Sequence, residues 1–163
     1  MNYATIKNND IANGPGVRVS LFVSGCRNHC KGCFNSETWS FDYGRPFTED
    51  TVSEIVEALS PVYISGFTVL GGDPFEPENI GVVTELCKRI RTERPEINIW
   101  VYTGYLYEDL KHLEIFDYID VLVDGPFVLA KKNLMLRFRG SENQRIIDVP
   151  TTRRVGEVAV YES

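Results

Sequence analysis

The sequence predicts an α/β fold: one domain over residues 1–163, built as a partial, open β/α barrel with mainly parallel strands. Three observations carry this expectation. Short apolar runs alternate with amphipathic stretches of helical period, each apolar run ends at a glycine-bearing or otherwise unusual loop, and 163 residues fall far short of the roughly 250 of a full eight-unit barrel. In sheets of this kind ligands bind beyond the carboxyl ends of the strands, which is where all the unusual loops fall.

The first strand is expected over Val17–Val23, after the turn Gly14-Pro15-Gly16. A helix follows with Thr48 as N-cap, Glu49 and Asp50 in its first turn, and Val52, Ile55, Val56 and Leu59 on one face. A second strand over 67–70 ends at Gly71-Gly72. The next helix starts near Glu78, carries Ile80, Val83, Cys87 and Ile90 on one face, and stops near Pro95. Strands over 97–102 and 121–123 end at Thr103-Gly104 and Asp124-Gly125-Pro126, with a weaker helix over 108–113 between them. The segment 136–145 is basic and reads as a solvated loop before a strand, or as a contact for a partner or cofactor.

Composition excludes several classes. A formal net charge of -6 argues against nucleic-acid binding, which rests on Lys and Arg displacing counterions from phosphates. The polar start and the lack of any apolar run near the roughly 20 residues of a membrane span predict a cytoplasmic protein without membrane contact. In a reducing compartment, clustered thiols bind metal or do chemistry more often than they form disulfides.

Three of the four cysteines, Cys26, Cys30 and Cys33, fall within eight residues after the first strand. Soft thiolates at this spacing suit an iron-sulfur centre, zinc or copper(I). A structural zinc needs a fourth ligand from His29, His112 or Cys87, and Cys87 lies on an apolar helix face where a free Cys behaves as a small hydrophobe. A dithiol role for Cys30 and Cys33 leaves Cys26 unexplained. A cubane cluster is usually held by four thiolates, so three alone leave one iron open to a small molecule. Glycines at Gly71 and Gly72 let backbone carbonyls approach an ammonium group and Asp73 adds negative charge; Thr103 offers a hydroxyl to a ribose or carboxylate. For each, a plain tight turn is the competing reading, and Asp124 stands equally between ligand contact and backbone cap.

The Cys-x3-Cys-x2-Cys loop resembles the signature of radical S-adenosylmethionine enzymes. Gly14-Pro15-Gly16-x-Arg18, Gly25, Lys31-Gly32-Cys33-Phe34-Asn35, Gly71-Gly72-Asp73-Pro74, Trp100 to Tyr105, Asp120 to Phe127 and Arg139-Gly140-Ser141-x-Asn143-Gln144-Arg145 extend the resemblance, over nearly the whole chain, to the activating proteins of anaerobic ribonucleoside-triphosphate reductases. Gly32 stands where many superfamily members place an aromatic residue; the aromatic here is Phe34, an arrangement this activase family shares.

The resemblance implies that Cys26, Cys30 and Cys33 hold three irons of a 4Fe-4S cluster whose fourth iron chelates S-adenosyl-L-methionine. It implies cofactor contacts from Gly32, Cys33, Phe34, Gly71, Gly72, Asp73 and Thr103, with Phe34 shielding the adenine, and no catalytic acid or base. Reductive cleavage of the sulfonium would give a 5'-deoxyadenosyl radical that takes a hydrogen atom from a glycine of the reductase. The implied partners are the anaerobic ribonucleoside-triphosphate reductase and a small electron donor such as a flavodoxin. Activation of another glycyl-radical enzyme, or a non-catalytic metal or electron-transfer module, are the alternatives.

Overall fold

Four parallel strands form the centre of the sheet: β2 (Val17–Val23), β4 (Ile64–Gly71), β5 (Asn98–Tyr102) and β6 (Val121–Asp124). The computed structural model describes residues 1–162. β1 (Asn2–Asp10) and the two-residue β3 (Arg45–Pro46) pair antiparallel outside β2, and β7 (Arg145–Asp148) pairs antiparallel outside β6. The order β3-β1-β2-β4-β5-β6-β7 leaves the seven-stranded sheet open, as expected.

Alternation along each strand separates two faces. Val19, Leu21 and Val23, Phe67 and Val69, Ile99 and Val101, and Leu122 point outward into one apolar core with α1 (Glu49–Ala58) and α2 (Pro77–Glu93). Burial of each such side chain is worth about 1.5–3 kcal/mol, so this face holds the domain together. Thr48 caps α1 as expected, through a reciprocal capping box with Thr51. Cys87 is wholly buried in the same core, and burial pushes its thiol up to about 12; it is a packing residue.

The inner face is different. Trp100, Val121 and Val123 form a second small cluster there with Tyr102, Phe138, Ile146 and Tyr161 against them. Arg18 is fully buried on this face with no carboxylate partner among the described residues; it donates to Thr68 Oγ1 at 2.8 Å and to the carbonyls of Pro15, Phe67 and Asn98 at 2.9, 3.1 and 2.8 Å. Its guanidinium lies 5.5 Å from the Trp100 ring, and burial lowers its pKa to about 10. One side chain thus ties β2, β4 and β5 together. A Cβ at Gly66 would stand 2.3 Å from that guanidinium, which is why glycine occupies this position; β4 starts at Ile64, three residues before the expected 67–70.

Three elements depart from the expectation. β1 is polar because only Tyr3 and Asp10 are buried along it, so it carries little apolar signal. The helix expected over 108–113 is the single turn α3 (Tyr107–Leu110), started early because Asp124 accepts the Tyr107 N–H at 2.8 Å. The C-terminal α4 (Val149–Val155), capped by Asp148 accepting from Thr151 N–H at 3.0 Å and ended by Gly156 at φ 84°, was not expected from periodicity.

Candidate active site

The cysteine loop leaves β2 at Ser24 and Gly25 and is fastened at three points. The Gly25 N–H donates to Thr38 O at 2.7 Å and the Cys26 N–H to Trp39 O at 3.1 Å, which brings the 3-10 turn of residues Ser36–Trp39 under the loop. Arg27 stacks on Phe41 at 4.6 Å and pairs with Glu76 and Glu78 at the start of α2. Glu76 is fully buried and also accepts from the Arg27 N–H and the Tyr105 hydroxyl.

Gly71-Gly72-Asp73 is the third fastening. The Gly72 N–H donates to Val23 O and the Asp73 N–H to Gly25 O, both at 2.7 Å. A Cβ at Gly71 would lie 2.7 Å from Val23 O, and one at Gly72 would lie 2.6 Å from Gly25 O. The two glycines are therefore needed for contact between the end of β4 and the root of the cysteine loop, a reason independent of any ligand.

Asp73 is 1 % exposed and ties the strand ends together. It accepts from the Thr103 hydroxyl at 2.9 and 3.1 Å, Gly104 N–H at 2.8 Å, Phe75 N–H at 2.9 Å and Asn28 Nδ2 at 3.4 Å. Burial pushes its carboxyl up to about 6 against the opposing pull of these donors. Thr103 donates its hydroxyl hydrogen bond to Asp73 and accepts from the Tyr105 N–H at 3.1 Å, so its oxygen is engaged within the protein. Gly104 makes room for Asn28, whose amide nitrogen would lie 2.2 Å from a Cβ there.

These groups border one cavity of about 600 Å³ at the carboxyl end of the parallel strands and down the inner face of the sheet. Cys26, Cys30, Cys33, Gly71, Gly72, Asp73, Thr103 and Phe34 all line it. Gly32 stands beside it, with Leu129 and Phe127 nearest to where its Cβ would be. Phe34 is 58 % exposed at the mouth, 5.2 Å from the Phe127 ring, and Gly140 leaves room for both rings.

The donor set suits an iron-sulfur cluster. The three thiols are half-buried and unpaired. Burial pushes Cys26 up to about 11, and the negative charges of Asp73 and Glu76 add to it, while burial also raises Cys30. A positive centre entering the loop would offset that burial cost at Cys26 and Cys30. Backbone N–H groups already face the sulfurs: those of Asn28 and His29 toward Cys26, that of Phe127 toward Cys30, and Asn35 N–H at 3.4 Å from Cys33 Sγ. Such donors stabilise cluster-bound sulfur.

Among the described residues no three His, Cys, Asp or Glu side chains converge as ligands of a single ion. A cubane spreads its thiolates over separate irons and does not need that convergence. None of the three fourth ligands considered for zinc supports that reading: His29 stacks on Trp39 at 4.5 Å, Cys87 lies in the opposite core, and His112 is exposed and outside the cavity that the cysteines line.

Comparison with known proteins agrees with the donor set. A family described as a 4Fe-4S single cluster domain matches residues 12–147. The chain is 45% identical over 148 residues to the anaerobic ribonucleoside-triphosphate reductase-activating protein of Enterobacteria phage T4, covering 90% of this chain and 93% of that one. It is 44% identical to the protein of that name from Escherichia coli K12, over 88% and 96% of the two chains, and 42% identical to that of Vibrio cholerae, over 90% and 97%. The chain belongs to this activating-protein family.

Within this activating-protein fold, two residues left open by the sequence have structural roles. Asp124 is fully buried, starts α3, and pairs with Arg145, whose Nε lies 3.0 Å from Oδ1. Arg145 reaches on to Glu108 at 2.7 and 3.0 Å and holds that carboxyl down to about 2. Gln144 shapes the basic segment by accepting from the Gly140 and Ser141 N–H groups at 2.8 and 3.1 Å and donating to Gly125 O at 3.1 Å. Asn28, Glu76 and Tyr105 were missed. Only Glu76 left a sequence signal, an acid three residues after Asp73 in an otherwise apolar turn.

Proposed function

We propose that this protein activates an anaerobic ribonucleoside-triphosphate reductase, using a 4Fe-4S cluster on Cys26, Cys30 and Cys33 and S-adenosyl-L-methionine bound beside it. Held by these residues, cluster and cofactor would supply one-electron cleavage of the sulfonium and, through it, removal of a hydrogen atom from a glycine of the reductase. The observation that carries the reading is the joining of the three-thiol loop to Gly71-Gly72-Asp73 across one cavity in a chain of this family.

Each part of the site has a task in that chemistry. Three thiols and no fourth leave one metal corner to the cofactor. Gly71 and Gly72 present backbone to the cavity that would receive the methionine amine, and Asp73 would contribute negative charge through a carboxylate fixed by Thr103 and Gly104. Thr103 acts through Asp73, holding it in place. Phe34 and Phe127 cover the adenine side, with Gly32 leaving the neighbouring space free. The apolar inner wall, with Phe22, Leu70 and Phe138, keeps water and other oxidisable groups away from a radical. No side chain is required as acid or base.

Anaerobic reconstitution with iron and sulfide, followed by reduction and chromatography for 5'-deoxyadenosine, tests this. Product is expected from the native protein and none from Cys26→Ala, Cys30→Ala or Cys33→Ala. A fully iron-loaded native protein that forms no product under strong reduction would overturn the reading. The electron is assigned to a small flavoprotein donor of the flavodoxin kind, in a cytoplasmic setting; no described helix is long and apolar enough to cross a membrane.

A further inference from the structure

The loop that connects β6 to β7 carries an unusual surface beside the cavity mouth. Between Gly125 and Ser141 it holds Lys131, Lys132, Arg137 and Arg139, and the loop's one acid is Glu142 at its far end, so 125–144 carries +3 and, of the net -6, the rest of the chain carries -9. At its tip, Leu134 and Met135 are 82 % and 90 % exposed. An exposed apolar pair within a cationic segment is a candidate contact for a protein partner.

The tip is built rather than loose. The Asn133 N–H donates to Gly140 O at 3.3 Å, Lys132 and Ser141 form an antiparallel bridge, and Asn133 Oδ1 accepts from the Met135 N–H at 2.9 Å. Phe138 O accepts from the Tyr102 hydroxyl at 2.6 Å, which fastens the loop to β5. Lys132 lies 5.3 Å from the ring of Phe34, the aromatic that follows the third cysteine. Leu134, Leu136 and Phe138 line the cavity itself, so this surface runs continuously into the site.

We propose that this loop is the docking surface for the polypeptide whose glycine is activated, and that it seats an acidic segment with an apolar side chain on Leu134 and Met135. The inference rests on the activase reading and deepens it. Hydrogen abstraction needs the target α-carbon inside the cavity, so the target's flanking residues have to lie on the lip. That lip carries four cations, which select and steer an acidic partner, while the apolar tip supplies the contact that survives salt. Met135 suits this because its unbranched side chain adapts to the surface that covers it.

The test uses the full chain and the cognate reductase. Lys131→Glu with Arg137→Glu, and Met135→Ser separately, are compared with Lys88→Glu plus Arg154→Glu, which changes net charge equally on other faces. Partner affinity is measured by calorimetry at low and high salt. In parallel, 5'-deoxyadenosine formation is measured with a chemical reductant and no partner. The loop double variant is expected to weaken reductase binding about tenfold or more at low salt, with the gap narrowing at high salt. Met135→Ser should weaken it at both, and all variants should cleave the cofactor like the native protein. Native-like binding by the loop variants overturns the proposal, as does a defect confined to reduction by a flavoprotein. A native protein that binds the reductase through this loop but never cleaves the cofactor would instead overturn the activase reading and leave the docking surface standing.

Discussion

Gly72→Ala tests the claim that the Gly-Gly-Asp turn holds the cysteine loop in place. The new methyl would stand 2.6 Å from Gly25 O and 2.8 Å from Gly25 N, whereas ordinary contact begins at 3.4 Å. Relief requires the end of β4 and the loop root to part by about 0.8 Å. The two hydrogen bonds that join them, Gly72 N–H to Val23 O and Asp73 N–H to Gly25 O, then stretch from 2.7 Å to about 3.5 Å, where little of either remains. Their loss at about 1 kcal/mol each, with overpacking of at least about 1 kcal/mol, gives a destabilisation near 3 kcal/mol. For a urea slope of about 2 kcal/mol/M the unfolding midpoint falls by about 1.5 M. Because the displaced segment is the root of the thiol loop, iron content after reconstitution should fall as well. Gly81→Ala is the matched control: no atom lies within 4 Å of its added methyl, and in mid-helix it should stabilise by about 0.5–1 kcal/mol and leave iron binding unchanged. A Gly72→Ala protein with the native midpoint and full iron content would refute the reasoning.

Three further outcomes follow from the same geometry. Alanine at Cys26, Cys30 or Cys33 should abolish iron retention measured by metal analysis and visible absorbance, whereas Cys87→Ala should cost about 1 kcal/mol in urea unfolding and keep the iron. Arg18→Lys keeps the charge but cannot reach the four acceptors on β4, β5 and the turn before β2, so a loss of about 2–4 kcal/mol is expected in the same assay. Arg145 holds Glu108 below its ordinary 4.5 at about 2, so its stabilisation is present above pH 4.5 and lost as pH falls through about 2. Glu108 is half exposed, so Glu108→Gln should cost only about 0.5 kcal/mol at pH 7; that gap should narrow below pH 4.5 and close near pH 2 in paired denaturation curves.

The parts of the site that were legible in the sequence are those formed by neighbours along the chain. Cys26, Cys30 and Cys33 declare themselves by spacing, and Gly71-Gly72 by ending an apolar run. The physical reason for the glycines was not legible, because the groups they accommodate, Val23 and Gly25, lie nearly fifty residues away. The same holds for Asp73, whose partners Thr103, Gly104 and Asn28 are brought to it only by the parallel register of β2, β4 and β5. Thr103 stood between a ligand contact and a strand-ending turn in the sequence, and only the fold reveals that its hydroxyl donates to Asp73. Arg18 shows the converse difficulty: a charged residue within an apolar strand reads as a flaw in the pattern until four acceptors, on β4, β5 and the turn before β2, close around it. Central strands were visible because both their faces are buried, while β1 at the flank was hidden by its polar composition.

The central claim is that a radical made in this cavity takes hydrogen from a glycine of a protein partner. Its most direct measurement is the mass of 5'-deoxyadenosine formed when the reconstituted, reduced protein acts on reductase labelled with α-deuterated glycine. The account predicts one deuterium transferred to 5'-deoxyadenosine in step with appearance of a glycyl radical by electron paramagnetic resonance. Unlabelled 5'-deoxyadenosine accompanying the full radical signal, or no radical despite complete cluster loading and cofactor cleavage, would contradict it.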